Sequence, residues 1–271
     1  MRGRIVARET ARSRKVDCYM EQEPEIVTTV IVPAYNEEEG LPLTLERLQS
    51  ALRDGFEVIV VDDGSTDRTA EVACRYPCRL FRHPLNRGKG WALKTGLRQA
   101  RGRNVVWIDA DDTYPVEAIP AMATALDTYD LVVCSRACGY DNIPVFNRLG
   151  NWLFRTLIRG IYGFQAHDPC TGLYGVRREH LERMRLTAHR FAIEPEVSIK
   201  SGRMKLNTLE MPIRYRPRVG ATKLNAFRAG FDDLMMILGL LFWRGEPAVH
   251  PEETRQRQPG LTAAATQDTS P

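Results

Sequence analysis

Three clusters of acids, each set directly behind an apolar run, are the residues whose types and spacing can do chemistry. Asp109-Ala110-Asp111-Asp112 follows NVVWI. Carboxylates crowded behind a buried strand raise one another's pKa unless a cation joins them. Mg2+ or Mn2+ suits such oxygen ligands and keeps positions for water and phosphate oxygens. Asp109 and Asp111 are the expected metal ligands, with salt bridges to local arginines as the competing use. A metal so held can stabilise a departing diphosphate. Asp62-Asp63-Gly64-Ser65-Thr66-Asp67 follows FEVIVV. One carboxylate there can accept from a base or a ribose hydroxyl, the glycine permits a sharp turn, and Ser65 or Thr66 can cap a helix. Pro33-Ala34-Tyr35-Asn36-Glu37 follows VTTVIV. Its ring can stack on a base and Glu37 can bond a ribose or a base amine; equally, Asn36 can cap a helix with acids in its first turn. Between them, Leu85-Asn86-Arg87-Gly88-Lys89-Gly90 offers two cations at the start of a helix, which suits phosphate. The spacing of a P-loop is absent.

The elements that must position these clusters alternate. Val27 to Val32 reads as a buried strand ended by Pro33, and Glu37 to Leu52 as a helix with Leu45, Leu48 and Leu52 on one face. Phe56 to Val61 is a second strand, Thr66 to Arg75 a helix, Cys78 to Phe81 a short strand, Lys89 to Ala100 a helix and Asn104 to Ile108 a fourth strand. This order predicts βαβ units and a mostly parallel central sheet flanked by helices. Ligands of such sheets sit outside the carboxyl ends of the strands, where all three acidic clusters fall.

The chain has 271 residues, 43% of them hydrophobic, enough for one large α/β domain. We expect a basic disordered leader over 1–24, the folded domain over 25–244 and a disordered tail over 245–271. The leader holds Arg2, Arg4, Arg8, Arg12, Arg14 and Lys15 and contributes much of the net charge of +4. It reads as a solvated arm, and no aromatic-basic pattern supports nucleic acid as a partner. The start lacks the apolar segment of a secretory leader. No run reaches the length of a membrane span; Leu234 to Trp243 is the most apolar stretch, suited to a buried helix or a membrane surface. A cytoplasmic protein, peripheral on the membrane's cytoplasmic face, is the expectation. Cys74/Cys78 and Cys134/Cys138 read as free thiols rather than zinc ligands.

Taken in order, PAYNEE, VVDDGSTD, NRGKGWALKTGL and WIDADDTYP resemble glycosyltransferase family 2 with its GT-A fold, and within it the dolichyl- and polyprenyl-phosphate sugar transferases. The resemblance continues through Val133-Cys134-Ser135-Arg136, Asn147-Arg148-Leu149-Gly150-Asn151, Asp168-Pro169-Cys170-Thr171-Gly172-Leu173, Phe191-Ala192-Ile193-Glu194-Pro195-Glu196 and Arg218-Val219-Gly220-Ala221-Thr222-Lys223-Leu224. It covers about Ile26 to Trp243. It implies that Pro33, Tyr35, Glu37, Val61 and Asp63 hold the nucleoside, that Asp109, Ala110 and Asp111 bind donor and metal with Thr113 nearby, and that Arg136 and Arg148 meet the acceptor phosphate or donor diphosphate. Arg218 and Lys223 would close over the diphosphate, with Gly220 as hinge. Lys89 joins the donor site through its phosphate-suited turn. The family often has glycine where Asp112 stands, and Thr222 replaces its usual serine.

The implied reaction is an inverting displacement that moves a hexose from a nucleotide sugar of GDP-mannose or UDP-glucose type to a polyprenyl or dolichyl phosphate. An anionic acceptor needs no general base. A small hydroxylated acceptor, the alternative, needs one, and Asp168 and Glu194 are the candidates, each equally readable as a buried ion-pairing acid. Asn147 to Tyr162 mixes Trp, Phe, Leu and Ile with Arg at helical spacing and can rest in a membrane interface or pack on the core. A nucleotide-binding protein without transfer activity is the remaining class, and a sugar nucleotidyltransferase would carry a Gly-rich loop with lysine that Pro33 to Gly40 lacks.

Overall fold

The computed structural model describes residues 3–9, 16–22, 25–138, 145–222 and 226–243. In chain order the elements are β1 (Gly3–Glu9), β2 (Val16–Gln22), β3 (Thr28–Ala34), α1 (Gly40–Ala51), β4 (Phe56–Asp62), α2 (Thr69–Ala73), β5 (Arg79–Arg82), α3 (Lys89–Gln99), β6 (Asn104–Trp107), α4 (Ile119–Ala125), β7 (Leu131–Cys138), α5 (Val145–Tyr162), β8 (Tyr174–Arg177), α6 (Arg178–Met184), α7 (Ile193–Met204), β9 (Thr208–Arg214) and α8 (Ala226–Gly239).

Seven strands form one sheet in the order β5-β4-β3-β6-β8-β7-β9. Strands β5, β4, β3 and β6 run parallel, as the alternation of strands and helices requires, and β8 enters antiparallel between β6 and β7. Strand β9 then pairs parallel with β7. Because β3, β4 and β6 are covered on both faces, they read as near-continuous β-branched runs. One core layer holds Ile31, Ile59, Trp107 and Tyr174, the two rings stacked 5.1 Å apart, and the other holds Val30, Val60, Val106 and Leu41.

Several boundaries depart from the sequence expectation. Strand β3 runs through Pro33 to Ala34, because β6 pairs only as far as Ile31 and the prolyl nitrogen leaves no ladder partner unsatisfied there. Helix α1 begins at Gly40, three residues later than expected. Asn36 does not cap it: at φ 53° it is left-handed, and its side-chain oxygen accepts from the Thr66 backbone N–H at 2.8 Å. Helix α2 is only Thr69–Ala73 and has no side-chain cap, since Ser65 instead receives the Asn36 N–H at 2.9 Å. In the segment expected as the leader, β1 and β2 pair antiparallel, with Gly3 in register with Gln22 and Glu9 with Val16. The expected tail, 245–271, lies outside the described residues.

Candidate active site

The acidic clusters converge where the sheet topology predicts. Residues behind β3, β4 and β6 share one edge of the parallel half, and their hydrogen bonds knit the loops together. Asp63 accepts from the backbone N–H of Arg87 at 3.1 Å and of Gly88 at 2.6 Å, and lies 2.6 Å from His83 Nδ1. It thereby anchors the Asn86–Gly88 turn. Glu37 donates its own N–H to Thr69 at 2.8 Å. Tyr35 and Pro33 are half-buried beside it, while the Val61 side chain lies in the core, so only its backbone is available to a nucleoside.

At the centre, Asp109 and Asp111 are each held by one cation. Lys89, the first residue of α3, places Nζ 2.5 Å from Asp109 Oδ1 and 2.5 Å from Glu194 Oε1. Burial alone would lower the Lys89 pKa; Asp109 and Glu194 outweigh it and hold the ammonium charged. Arg218 reaches Asp111 with one guanidinium nitrogen and Glu37 with the other. Burial and Asp109 push Asp111 up, while Arg218 and the Thr113 hydroxyl, donating at 2.6 Å, oppose them. The loop that carries Arg218 is laid over these acids by two backbone bonds, Arg216 N–H to Thr113 carbonyl at 2.9 Å and Val219 N–H to Asp111 carbonyl at 3.2 Å. Ala110 is buried between the two acids. Lys223 lies outside the described residues.

Asp112 turns away from this pair. Its φ of 58° is the left-handed region that glycine adopts most readily, and its carboxylate sits 2.9 Å from Arg47 Nε and 3.6 Å from Arg216. The salt-bridge use therefore holds for the third acid. Gly172 approaches closely for a different reason: a Cβ there would lie 2.1 Å from Asp109 Oδ2. Its N–H donates to the buried Tyr114 hydroxyl at 2.6 Å.

The second half of the site lies toward β7 and α5. Arg136 grips Asp168 through two bonds, Nε at 2.6 Å and Nη2 at 2.7 Å, and also donates to the Cys170 carbonyl. Tyr114 is packed edge-on to Tyr215, and the Arg136 guanidinium lies 5.6 Å from the Tyr215 ring centroid; burial raises the Tyr114 pKa, Arg136 lowers it and Asp109 adds to the rise. A cavity of about 510 Å3 opens beside Arg136, lined also by Trp152, Arg155, His167, Asp168 and Glu210. Arg148 sits half-buried in the first turn of α5 and does not line it. Arg155 does, and no ion pair or hydrogen bond engages its guanidinium among the described residues. Sequence reasoning did not single out Arg155 or His167; the only available signal was arginine recurring on an amphipathic helix.

Glu194 and Glu196, adjacent in sequence pattern, divide. Glu194 is buried against Lys89, and burial raises its pKa with Asp109 adding to it against Lys89. Glu196 is structural: it accepts from the Thr187 and Ala188 N–H groups at 2.8 Å each and from Lys200 at 2.6 Å. That fixes the segment against which Gly88 and Gly90 pack, where a Cβ would lie 2.5 Å from the His189 carbonyl and 2.6 Å from that of Ala188. The Gly-Lys-Gly turn is thus shaped by packing, and its lysine is directed at the acids.

The fold is a mixed α/β sheet with acids at the carboxyl edge of its parallel half and arginines beyond an antiparallel insertion. The glycosyl transferase family 2 model matches residues 29–185. The chain belongs to that family and is a glycosyltransferase. It is 34% identical over 203 residues to a dolichyl-phosphate hexose transferase of Haloferax volcanii, covering 74% of this chain and 88% of that one. It is 31% identical over 232 residues to a dolichol-phosphate mannosyltransferase of Pyrococcus furiosus, covering 80% of this chain and 64% of the relative's length. Among solved structures, glucosyl-3-phosphoglycerate synthase from Mycobacterium tuberculosis, in complex with Mn2+, UDP and phosphoglyceric acid, superposes with a TM-score of 0.67 at 22% identity, covering 80% of this chain and 78% of that one. That likeness supports the fold.

Proposed function

We propose that this glycosyltransferase moves a hexose from a nucleotide sugar, of GDP-mannose or UDP-glucose type, to a polyprenyl or dolichyl phosphate with inversion. The observation that carries the reading is the pairing of two halves: Asp109 and Asp111 at the sheet edge, and across Tyr114 a cavity with Arg136 and Arg155 at its wall and Trp152 beside them. The two relatives named above, whose names specify dolichyl- or dolichol-phosphate transfer, support the same acceptor.

Pro33, Tyr35, Glu37, the Val61 backbone and Asp63 border the nucleoside end. Lys89 and Arg218 hold cationic charge where the diphosphate would lie. Asp109 and Asp111 fit a divalent cation, Mg2+ or Mn2+: they are two oxygen donors one residue apart, and Gly172 leaves the space beside Asp109 Oδ2 without a Cβ. Among the described residues no third His, Cys, Asp or Glu joins them, so further ligands would be diphosphate oxygens and water. Bound there, the ion would neutralise the leaving diphosphate. To admit it, Arg218 must leave Asp111, and the same arginine is then free to meet phosphate. This gives the loop at 216–222 a lid-like role.

Neither acid suited to general-base work is available. Asp168 is held at both oxygens by Arg136, and Glu194 is buried on Lys89. That favours an acceptor already anionic, whose phosphate oxygen attacks the anomeric carbon unaided. Arg136 and Arg155, which line the cavity, would orient it. Helix α5 carries no acid, and it exposes Leu149 (62%), Trp152 (53%) and Leu153 alongside Phe231 and Met235 of α8. Among the described residues no helix is long and apolar enough to cross a membrane. An acid-free helix with arginines and exposed apolar residues suits the headgroup region of a membrane, where the polyprenyl chain would remain.

The test is to incubate the full-length chain with each donor, Mn2+ or Mg2+, and polyprenyl phosphate. We expect a glycolipid product that chelation abolishes, and Asp111→Asn to lower turnover by at least roughly a hundredfold without lowering the melting temperature, because it relieves the repulsion with Asp109. Turnover unaffected by chelation and by Asp111→Asn would remove the metal, and no glycolipid from any donor would remove the acceptor.

A further inference from the structure

The cavity beside Arg136 takes part of its wall from a pair that the reaction above leaves unused, His167 and Glu210. His167 lies in the loop between α5 and β8. Glu210 lies on β9, which pairs parallel with β7 at the end of the sheet. The Glu210 carboxylate accepts from the His167 backbone N–H, with both oxygens at 3.2 Å, and its Oε2 lies 2.7 Å from Nδ1 of the ring. An ionised carboxylate can only accept, so Nδ1 carries a proton. The other ring nitrogen, Nε2, has no partner among the described residues, and the His167 side chain is 63% exposed at the cavity wall.

Charge decides what this ring can do. The other charged groups that line the cavity are Arg136 of β7, Arg155 of α5, Asp168 of the His167 loop and Glu210 of β9. Two cations and two carboxylates cancel. With a neutral imidazole the wall therefore has no net charge, and Nε2 is a bare acceptor that repels an anion. With an imidazolium the wall gains one positive charge and Nε2 becomes a donor. Arg136 stays on Asp168. The imidazolium and Arg155 are then two cations with N–H groups to spare at one cavity, an arrangement that suits the oxygens of a phosphate. Histidine is the side chain that makes this change of charge between about pH 5 and 8.

We propose that His167, held by Glu210, is a ligand of the acceptor phosphate and binds it as the imidazolium. The proposal rests on the anionic-acceptor reading above and deepens it by naming a phosphate ligand outside the arginines, one whose contribution depends on pH. The same ring in its neutral form could instead take a proton from a hydroxyl acceptor. That role has the opposite pH dependence, so measurement separates the two.

The probe is geranyl phosphate, a water-soluble prenyl phosphate, beside inorganic phosphate and the nucleoside diphosphates GDP and UDP. Kd values of the full-length wild type and of His167→Gln are measured by calorimetry from about pH 5.5 to 8.5, across the histidine range. Melting curves report the fold. A phosphate ester itself titrates near about pH 6, so the quantity read is the ratio of the variant's Kd to that of the wild type at each pH. For geranyl phosphate we expect a ratio of about ten near pH 6 that falls to about one or below near pH 8.5. For GDP and UDP it should stay near one throughout. A ratio near one at pH 6 overturns the proposal, as does a loss that is constant with pH or shared by the nucleoside diphosphates, which a structural role would give. Geranyl phosphate should bind the wild type more tightly than inorganic phosphate; equal affinity would leave a site for the free anion and overturn the acceptor assignment. In turnover, the defect of His167→Gln should fall on acceptor KM and shrink as pH rises. A defect in kcat that grows with pH would mark a base and overturn the proposal. The two readings also separate. The expected ratio with no glycolipid from the wild type sinks transfer to a lipid phosphate and keeps His167 as a phosphate ligand. Glycolipid from the wild type with a flat ratio does the reverse.

Discussion

On the proposed function, the donor half and the acceptor half of the site are built on opposite electrostatic plans. On the donor side every acid that faces the cleft already has a partner from within the chain: Asp63 the Arg87–Gly88 amides, Asp109 the Lys89 ammonium, Asp111 and Glu37 the Arg218 guanidinium. On the acceptor side Arg136 is locked to Asp168, but Arg155 stands at the wall of an open cavity beside exposed tryptophan and leucine. The difference teaches what each half waits for. On the proposed function, the donor half would exchange internal ion pairs for a ligand that brings both a cation and phosphates. The acceptor half would offer positive charge to an anionic, apolar ligand through Arg155, while Arg136 stays paired to Asp168. The first arrangement favours selectivity, because a ligand lacking either part leaves an acid or a cation unsatisfied.

Gly172→Ala probes the donor half where it is tightest. Its Cβ would occupy the Asp109 Oδ2 position, and the carboxylate can only swing off Lys89 to admit it. Turnover is expected to fall on the order of a hundredfold, while circular dichroism and acceptor binding stay near wild type; a fully active variant would mean that Asp109 is not needed in its present position. Arg155→Ala probes the open half. We expect about a tenfold rise in acceptor KM with the affinity for nucleoside diphosphate unchanged. A change in donor affinity instead would erase the division between the halves.

A third effect is on stability. Burial, with Glu194 and Asp232, pushes the Asp233 carboxyl up to about 8 from its ordinary 3.8. The folded chain keeps a proton there that the unfolded chain releases, so the unfolded state binds fewer protons between these values. Stability should therefore be fullest below about pH 4 at this group and decline as pH rises toward about 8. Urea midpoints across that range should fall less steeply for Asp233→Asn than for wild type; parallel profiles would exclude the group as the source. The smallest effect is expected from Asp112→Gly. It keeps the left-handed backbone and removes the contacts of a buried carboxylate to Arg47 and Arg216, away from Asp109 and Asp111, so turnover should stay within about threefold. A large loss would return Asp112 to the metal site.

The fold was readable because its signals are local. VTTVIV, FEVIVV and NVVWI announce buried parallel strands, and the acids behind each announce the functional edge. What misled was capping: Asn36 and Ser65 have the residue types of helix caps, but the loops bond each other across about thirty positions of sequence, and a propensity argument does not see that exchange. The use of Asp112 was open in the sequence and was decided by Arg47, sixty-five positions away, and by a positive φ.

The sequence by itself determined the alternation of strands and helices, the three acidic edges and the family motifs, since each is a short-range pattern of residue types. Only the tertiary structure decided which acid meets which cation, that Arg155 rather than Arg148 lines the cavity, and that Asp233 of α8 is buried. Those outcomes depend on distances between segments far apart in the chain, and a carboxylate or guanidinium has the same one-letter identity whether it is paired, bare or buried. Its chemistry is set by what packing brings beside it.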